Sequence, residues 1–500
     1  MSTEDNPSGV QFPADERGQR SSTQTARTVF ARAAEKLGPK VTAEILAEPK
    51  WHKAYGSHLL ELVRRSRSGP SFMQVASKGL EAVHDSFQFL RGGEEFSLQQ
   101  AMEQFHQPVF HTGEIKGGGE SPGELQVPLN GKRLSGDALK RQFDAWETRG
   151  TMEPSAAAAL HELADDPSQL DLRDLNFALL GAAAEVGPLQ FLSHYGATVV
   201  AVDRPRPYIW QRLFAAARSG TGRMLFPVHK PLRGGEDEEE LLALAGCDLS
   251  AEAPEIRTWL ADLSMPYCIG GYAYLHGQRH VCVEVAMDMI MSDLAARRDD
   301  ISLAFLLSPT DVFLVPEAAM LCARERFAKE GLSKLWRAPL RTLSRQRLFA
   351  QNIEDSVEGS SGIVYGLYDG IVPAQGPNYA LAKRIQQWRA VSARFAGVPV
   401  SCNVAPATAT SSVMMRKDFS AALRGGEAYG MEVFTPQTSN AVIGALLVHD
   451  LRNGSPNDTG DSAHAAELFM DKAVHGGLWR TGVQLRSVIE IAAARGFLKL

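Results

Sequence analysis

Asn176-Phe177-Ala178-Leu179-Leu180-Gly181-Ala182-Ala183-Ala184-Glu185-Val186-Gly187 carries a short apolar run into a turn bounded at both ends by glycine. Further on, Ala197-Thr198-Val199-Val200-Ala201-Val202 repeats the apolar run and ends in Asp203. Short runs of aliphatic and β-branched residues closed by Gly or Asp read as buried strands. Two such strands joined through a glycine turn and a helical stretch make one βαβ unit, whose strands must lie parallel.

The same pattern continues outward. Candidate strands fall at 223–228, 267–273, 301–307 and 398–404, separated by stretches of helical periodicity. Strands alternating with helices predict an α/β fold with a doubly wound, parallel, Rossmann-type sheet. Right-handed crossovers then place a ligand at the carboxyl ends of the strands. Residues 171–415 carry this unit, and 311–377 reads as an insertion with a basic helical piece around Arg324 to Arg347. Residues 1–25 are polar and read as a disordered tail. Residues 26–170 read as a helical accessory domain, with Val29, Ala33 and Leu37 on one helical face and further helix starts at Ser135 and Pro154. Residues 416–500 read as a helical C-terminal region.

Bulk properties narrow the function. The chain has 500 residues, a net charge of -6 and a 44% hydrophobic fraction, so several structural units around ordinary cores are expected. That charge gives no case for nucleic acid as a partner. No apolar run reaches membrane-spanning length, and Met1-Ser2-Thr3-Glu4-Asp5 does not open a secretory signal. Five scattered cysteines without a CxxC pair fit reduced thiols and a cytoplasmic location. His276 and His280 lack a third ligand for a metal, and no metal site is expected. Association with further copies of the chain is left open.

The glycine turn offers unpaired N–H groups and a positive dipole end to a pyrophosphate. Asp203, at the end of the second strand, is placed to accept the ribose hydroxyls of NAD. Arg204 follows it and leaves NADP open. Gly246-Cys247-Asp248-Leu249 adds another acid, which serves equally well as a helix N-cap. Tyr379 and Lys383, four residues apart, share one face of a helix. Val400-Ser401-Cys402-Asn403-Val404-Ala405-Pro406-Ala407-Thr408 closes the series.

In this order the pieces resemble the short-chain dehydrogenase/reductase superfamily, over about half of the chain. The resemblance implies a nicotinamide cofactor and hydride transfer between it and a carbonyl or alcohol carbon of a small-molecule substrate, and the length of the insertion and the C-terminal helices suggests a lid over a sizeable, partly apolar one. It implies a cofactor site made of Gly181, Gly187, Asp203, Arg204, Asp248, Gly270, Lys383, Asn403, Pro406 and Thr408. It makes Tyr379 the proton donor and acceptor, Lys383 the group that tunes the phenol, and Ser308 the hydroxyl on the substrate oxygen, with Thr310 as substitute. Four departures stand out. Glu185 replaces the middle glycine of the turn, and Gly270-Gly271-Tyr272-Ala273 replaces Asn-Asn-Ala-Gly. Ala407 replaces a glycine, and the Ser lies far upstream of the Tyr. Two alternatives stay open: a Rossmann methyltransferase using S-adenosylmethionine, and a non-catalytic nucleotide-binding scaffold.

Overall fold

A computed structural model describes residues 8–329, 334–345, 347–372, 375–454 and 464–498. Its centre is a seven-stranded sheet. The strands are β1 (His111–Lys116), β2 (Asn176–Leu180), β3 (Thr198–Val202), β4 (Arg223–Val228), β5 (Tyr267–Gly271), β6 (Ile301–Leu307) and β7 (Val400–Val404). They lie in the order β7-β6-β5-β2-β3-β4-β1. All neighbours are parallel except β1 against β4. The order reverses between β2 and β5, and in an open α/β sheet that reversal opens a crevice at the carboxyl ends of the strands.

Burial on both faces explains why these strands are apolar throughout. In β2, Ala178 and Leu180 point into one core while Phe177 and Leu179 point into the other. Val200 and Val202 of β3 alternate with Val199 and Ala201 in the same way. Helices α3 (Gln278–Arg297) and α4 (Gly376–Phe395) cover the first face. Helices α2 (Leu189–His194) and α5 (Pro436–Asn453) cover the second. The expected strands at 197–202, 267–273 and 398–404 are trimmed at one end. At β5 the overhang is lost where Tyr272 leaves the strand and donates its amide to Leu180 O at 2.8 Å.

The chain outside 171–415 is woven into this unit. Gly9–Gln11, inside the stretch expected to be a tail, pairs antiparallel with Gln88–Arg91; residues 1–7 lie outside the described residues. Helix α1 (Gly69–Ser86) rests on α4, where a side chain on Gly79 would strike the Trp388 ring at 2.5 Å. His84 Nε2 meets Asp288 of α3 at 2.6 Å, and Arg389 of α4 holds the same carboxylate. The expected helical accessory domain at 26–170 therefore supplies strand β1 to the central sheet and shares its first core. The insertion at 311–377 contains the helix Lys334–Leu343 and an antiparallel sheet that periodicity did not single out. That sheet runs Val312–Pro316, Val364–Asp369, Ser356–Glu358.

Candidate active site

Gly181 leaves β2 at φ +89°, a conformation that favours glycine. A Cβ here would meet Ala273 Cα at 2.4 Å. So glycine is required by the chain leaving β5 as well as by any ligand. The turn is held from within: the amides of Gly181 and Ala182 donate to Val202 O, and those of Ala184 and Gly187 donate to carbonyls inside the turn. Helix α2 starts only at Leu189, and Asn440 of α5 bonds to both Gly187 O and the Phe191 amide.

Asp203 lies beside this turn, 9% exposed. Its two carboxylate oxygens accept from the amides of Ala183 and Arg204, each at 2.8 Å. Burial raises its pKa, and those two amides oppose the rise. The carboxylate that was expected to face a ribose is therefore already bonded to the backbone. Cys247 donates its amide to Asp203 O at 2.9 Å, which brings the 246–249 segment to the same strand end. Asp248 itself accepts from the amides of Ser250 and Ala251 and so closes the turn ahead of the helix Ala253–Ala261, whose N-cap is Glu252 and not Asp248 as expected. Arg204, Arg206 and Arg212 stand exposed around Asp203.

Glu185 points away from the turn. Its carboxylate accepts the Ser411 amide at 2.8 Å and ties the turn to the chain beyond β7. Asn403 lies in β7 paired with Leu306, and the turn through Pro406 carries Thr408 toward α5. There the Thr408 hydroxyl meets Ser439 Oγ at 2.7 Å. Gly270 lies within β5, and a side chain on it would strike the Tyr272 ring.

The residues expected to handle the proton come together at the carboxyl end of β6. Ser308, just past β6, lies beside the Tyr379 phenol, and its hydroxyl is 2.7 Å from that of Thr310. The Thr310 hydroxyl also accepts from the Gln375 amide. Lys383, one turn along α4, places Nζ 6.0 Å from the Tyr379 ring centre. It donates to Leu306 O at 3.1 Å and to Gln386 Oε1 at 2.8 Å. Burial raises the phenol pKa, and the Ser308 hydroxyl works against that rise. Burial lowers the Lys383 pKa, while nearby Glu284 and Asp311 push it back up.

Two members of this group were not placed here by the sequence reading, which passed over Glu284 and weighed His280 only as a metal ligand. Glu284 of α3 is fully buried, and the Gln386 amide donates to both its oxygens at 2.9 and 2.8 Å. Desolvation pushes its pKa up to about 8. His280, one turn earlier, stacks on Tyr379 with ring centres 5.7 Å apart. Their i, i+4 spacing on the helix after β5 was the available signal. Among the described residues no three His, Cys, Asp or Glu side chains gather as a metal site. No described helix is long and apolar enough to cross a membrane.

No family model and no curated protein matches the chain. Among solved structures, it is similar to a thiolation-reductase di-domain from an archaeal non-ribosomal peptide synthetase. The identity is 12%, over 51% of this chain and 48% of that one, with a TM-score of 0.27. A likeness at that level carries no argument.

Proposed function

We propose that the chain is a nicotinamide-dependent oxidoreductase acting on a carbonyl or alcohol carbon. The observation that carries this reading is the convergence of Ser308, Tyr379 and Lys383 at the carboxyl end of β6, next to the strand that borders the crevice. The residues fit the cofactor unevenly. The reversal of strand order between β2 and β5 marks where a dinucleotide would lie, and the exposed arginines beyond β3 suit its phosphates. The amides of Gly181, Ala182, Ala183, Ala184 and Gly187 are already bonded within the protein, so the turn keeps few donors for a pyrophosphate.

When bound, the cofactor supplies or accepts the hydride. The chain manages the oxygen and the proton. Ser308 holds the substrate oxygen. Tyr379, kept protonated by burial, gives its proton to that oxygen in reduction and takes one in oxidation. Lys383, when charged, stabilises the phenolate left behind. Asp203 is bonded to the backbone, whereas Arg204, Arg206 and Arg212 are free to meet a 2′-phosphate, so NADP is favoured over NAD at this strand end.

Fluorescence titration of the chain with NADPH and NADH is expected to show saturable binding, tighter for NADPH. Tyr379→Phe is expected to keep that binding and lose turnover by roughly a hundred- to ten-thousandfold. S-adenosylmethionine binding without nicotinamide binding would instead support a methyltransferase. The closed state of the glycine turn favours one other reading, a scaffold without turnover. Cofactor binding by a chain whose Tyr379→Phe variant behaves as wild type in every assay would support it.

A further inference from the structure

His280 is 2% exposed, yet neither ring nitrogen has a hydrogen-bond partner in the protein. Glu284 Oε1 is 3.9 Å from its Nε2, beyond hydrogen-bond reach. Glu284 is already engaged by Gln386. One face of the imidazole stacks on Tyr379, and Tyr274 lies 4.8 Å from it, centre to centre. Tyr274 is 50% exposed and also touches Tyr379, so this aromatic wall runs from solvent to the phenol. A buried polar group without a partner destabilises the fold, and almost all such groups in proteins are satisfied. A phenylalanine would fill the same slot without that cost. An imidazole kept here, against the proton-transferring ring, has a use for its nitrogens.

We propose that His280 is a substrate-binding residue that hydrogen-bonds a second substrate oxygen, on the carbon next to the one that reacts. The substrate class is then an α-oxygenated carbonyl compound, an α-diketone or α-hydroxy ketone, or the matching diol. The inference rests on the oxidoreductase reading. Ser308 and Tyr379 take the reacting oxygen. The ring stacked on Tyr379 takes the neighbouring one, because two oxygens one carbon–carbon bond apart can be held by two adjacent rings at once. The imidazole stays neutral, since burial and nearby Lys383 both oppose its protonation. A neutral imidazole offers one donor and one acceptor, so it suits either a keto or a hydroxyl oxygen.

The test is a matched pair, 2,3-hexanedione and 2-hexanone, with NADPH and the full chain. Wild type is expected to prefer the diketone by at least about tenfold in kcat/KM, because a site built to hydrogen-bond an oxygen rejects the analogue lacking it. In His280→Phe the preference is expected to fall within about threefold, with NADPH affinity unchanged and Tm equal or higher. His280→Asn or His280→Gln, whose amides approximate Nδ1 and Nε2, is expected to restore part of it. Retained preference in His280→Phe overturns the proposal. So does a wild type that shows no preference, including one that takes up neither ketone. A His280→Phe chain that loses NADPH binding together with Tm marks a structural role and overturns it as well. Failure of the oxidoreductase reading looks different: no nicotinamide binding at all, or undiminished turnover in Tyr379→Phe.

Discussion

Tyr379, Lys383 and Ser308 were legible one at a time because helical spacing and the end of a strand are local facts. His280 and Glu284 were not, because their meaning lies in how α3 meets α4: Glu284 and Gln386 are 102 residues apart in sequence. The buried imidazole also has a signature in solution. Burial holds its pKa down to about 3, against an ordinary value of 6.5. Between those values the unfolded chain binds a proton that the native chain refuses. Native stability therefore falls as pH drops from 6.5 toward 3, and this one group contributes up to about 1.4 kcal/mol per pH unit. Denaturant titrations of wild type and His280→Phe at pH 7, 6, 5 and 4 are expected to diverge by that slope. Parallel curves would mean that the imidazole is not held neutral. Asp203 teaches a related lesson. Its position at the end of β3 was readable, but its engagement by the Ala183 and Arg204 amides was not, because backbone donors leave no mark in side-chain identity.

Among the elements, the strands buried on both faces were read to within two residues at either end, since a continuous apolar run admits few registers. Strand β1 was missed for the opposite reason. His111-Thr112-Gly113-Glu114-Ile115-Lys116 is polar at alternate positions because one face of this strand is left to solvent, and its charges discourage further pairing at the open edge. The helix that carries Tyr379 and Lys383 depends on an element the sequence reading set apart. Helix α1 approaches α4 closely only because Gly79 leaves room for the Trp388 ring. Gly79→Val is expected to cost about 1–3 kcal/mol through overpacking. Because Trp388 lies on the helix that bears Tyr379 and Lys383, the same change is expected to weaken turnover. A thermal melt alongside cofactor titration would show both effects, whereas an unchanged melting temperature would mean that the two helices are not in this contact.

For the molecule as a whole, the first core runs without a break from Val10 and Phe30 through Leu180 and Val202 to Trp388 and Trp479. Arg91 reaches Ala251 O and Glu255, and His84 reaches Asp288, so polar ties follow the same route. A chain beginning at residue 107 would expose the apolar backs of α3 and α4. It is expected to bind a hydrophobic dye and to melt without a cooperative transition; a well-behaved fragment that still binds NADPH would show that the N-terminal helices are dispensable. The Gly79–Trp388 contact also bears on how the protein is made. On the ribosome, α1 emerges long before α4, so its bare glycine notch has nothing to receive until most of the chain has been synthesised. The N-terminal segment must wait as an incomplete half, its apolar side available to chaperones or to other nascent chains, and the helix that bears Tyr379 and Lys383 is clamped only when synthesis is nearly over.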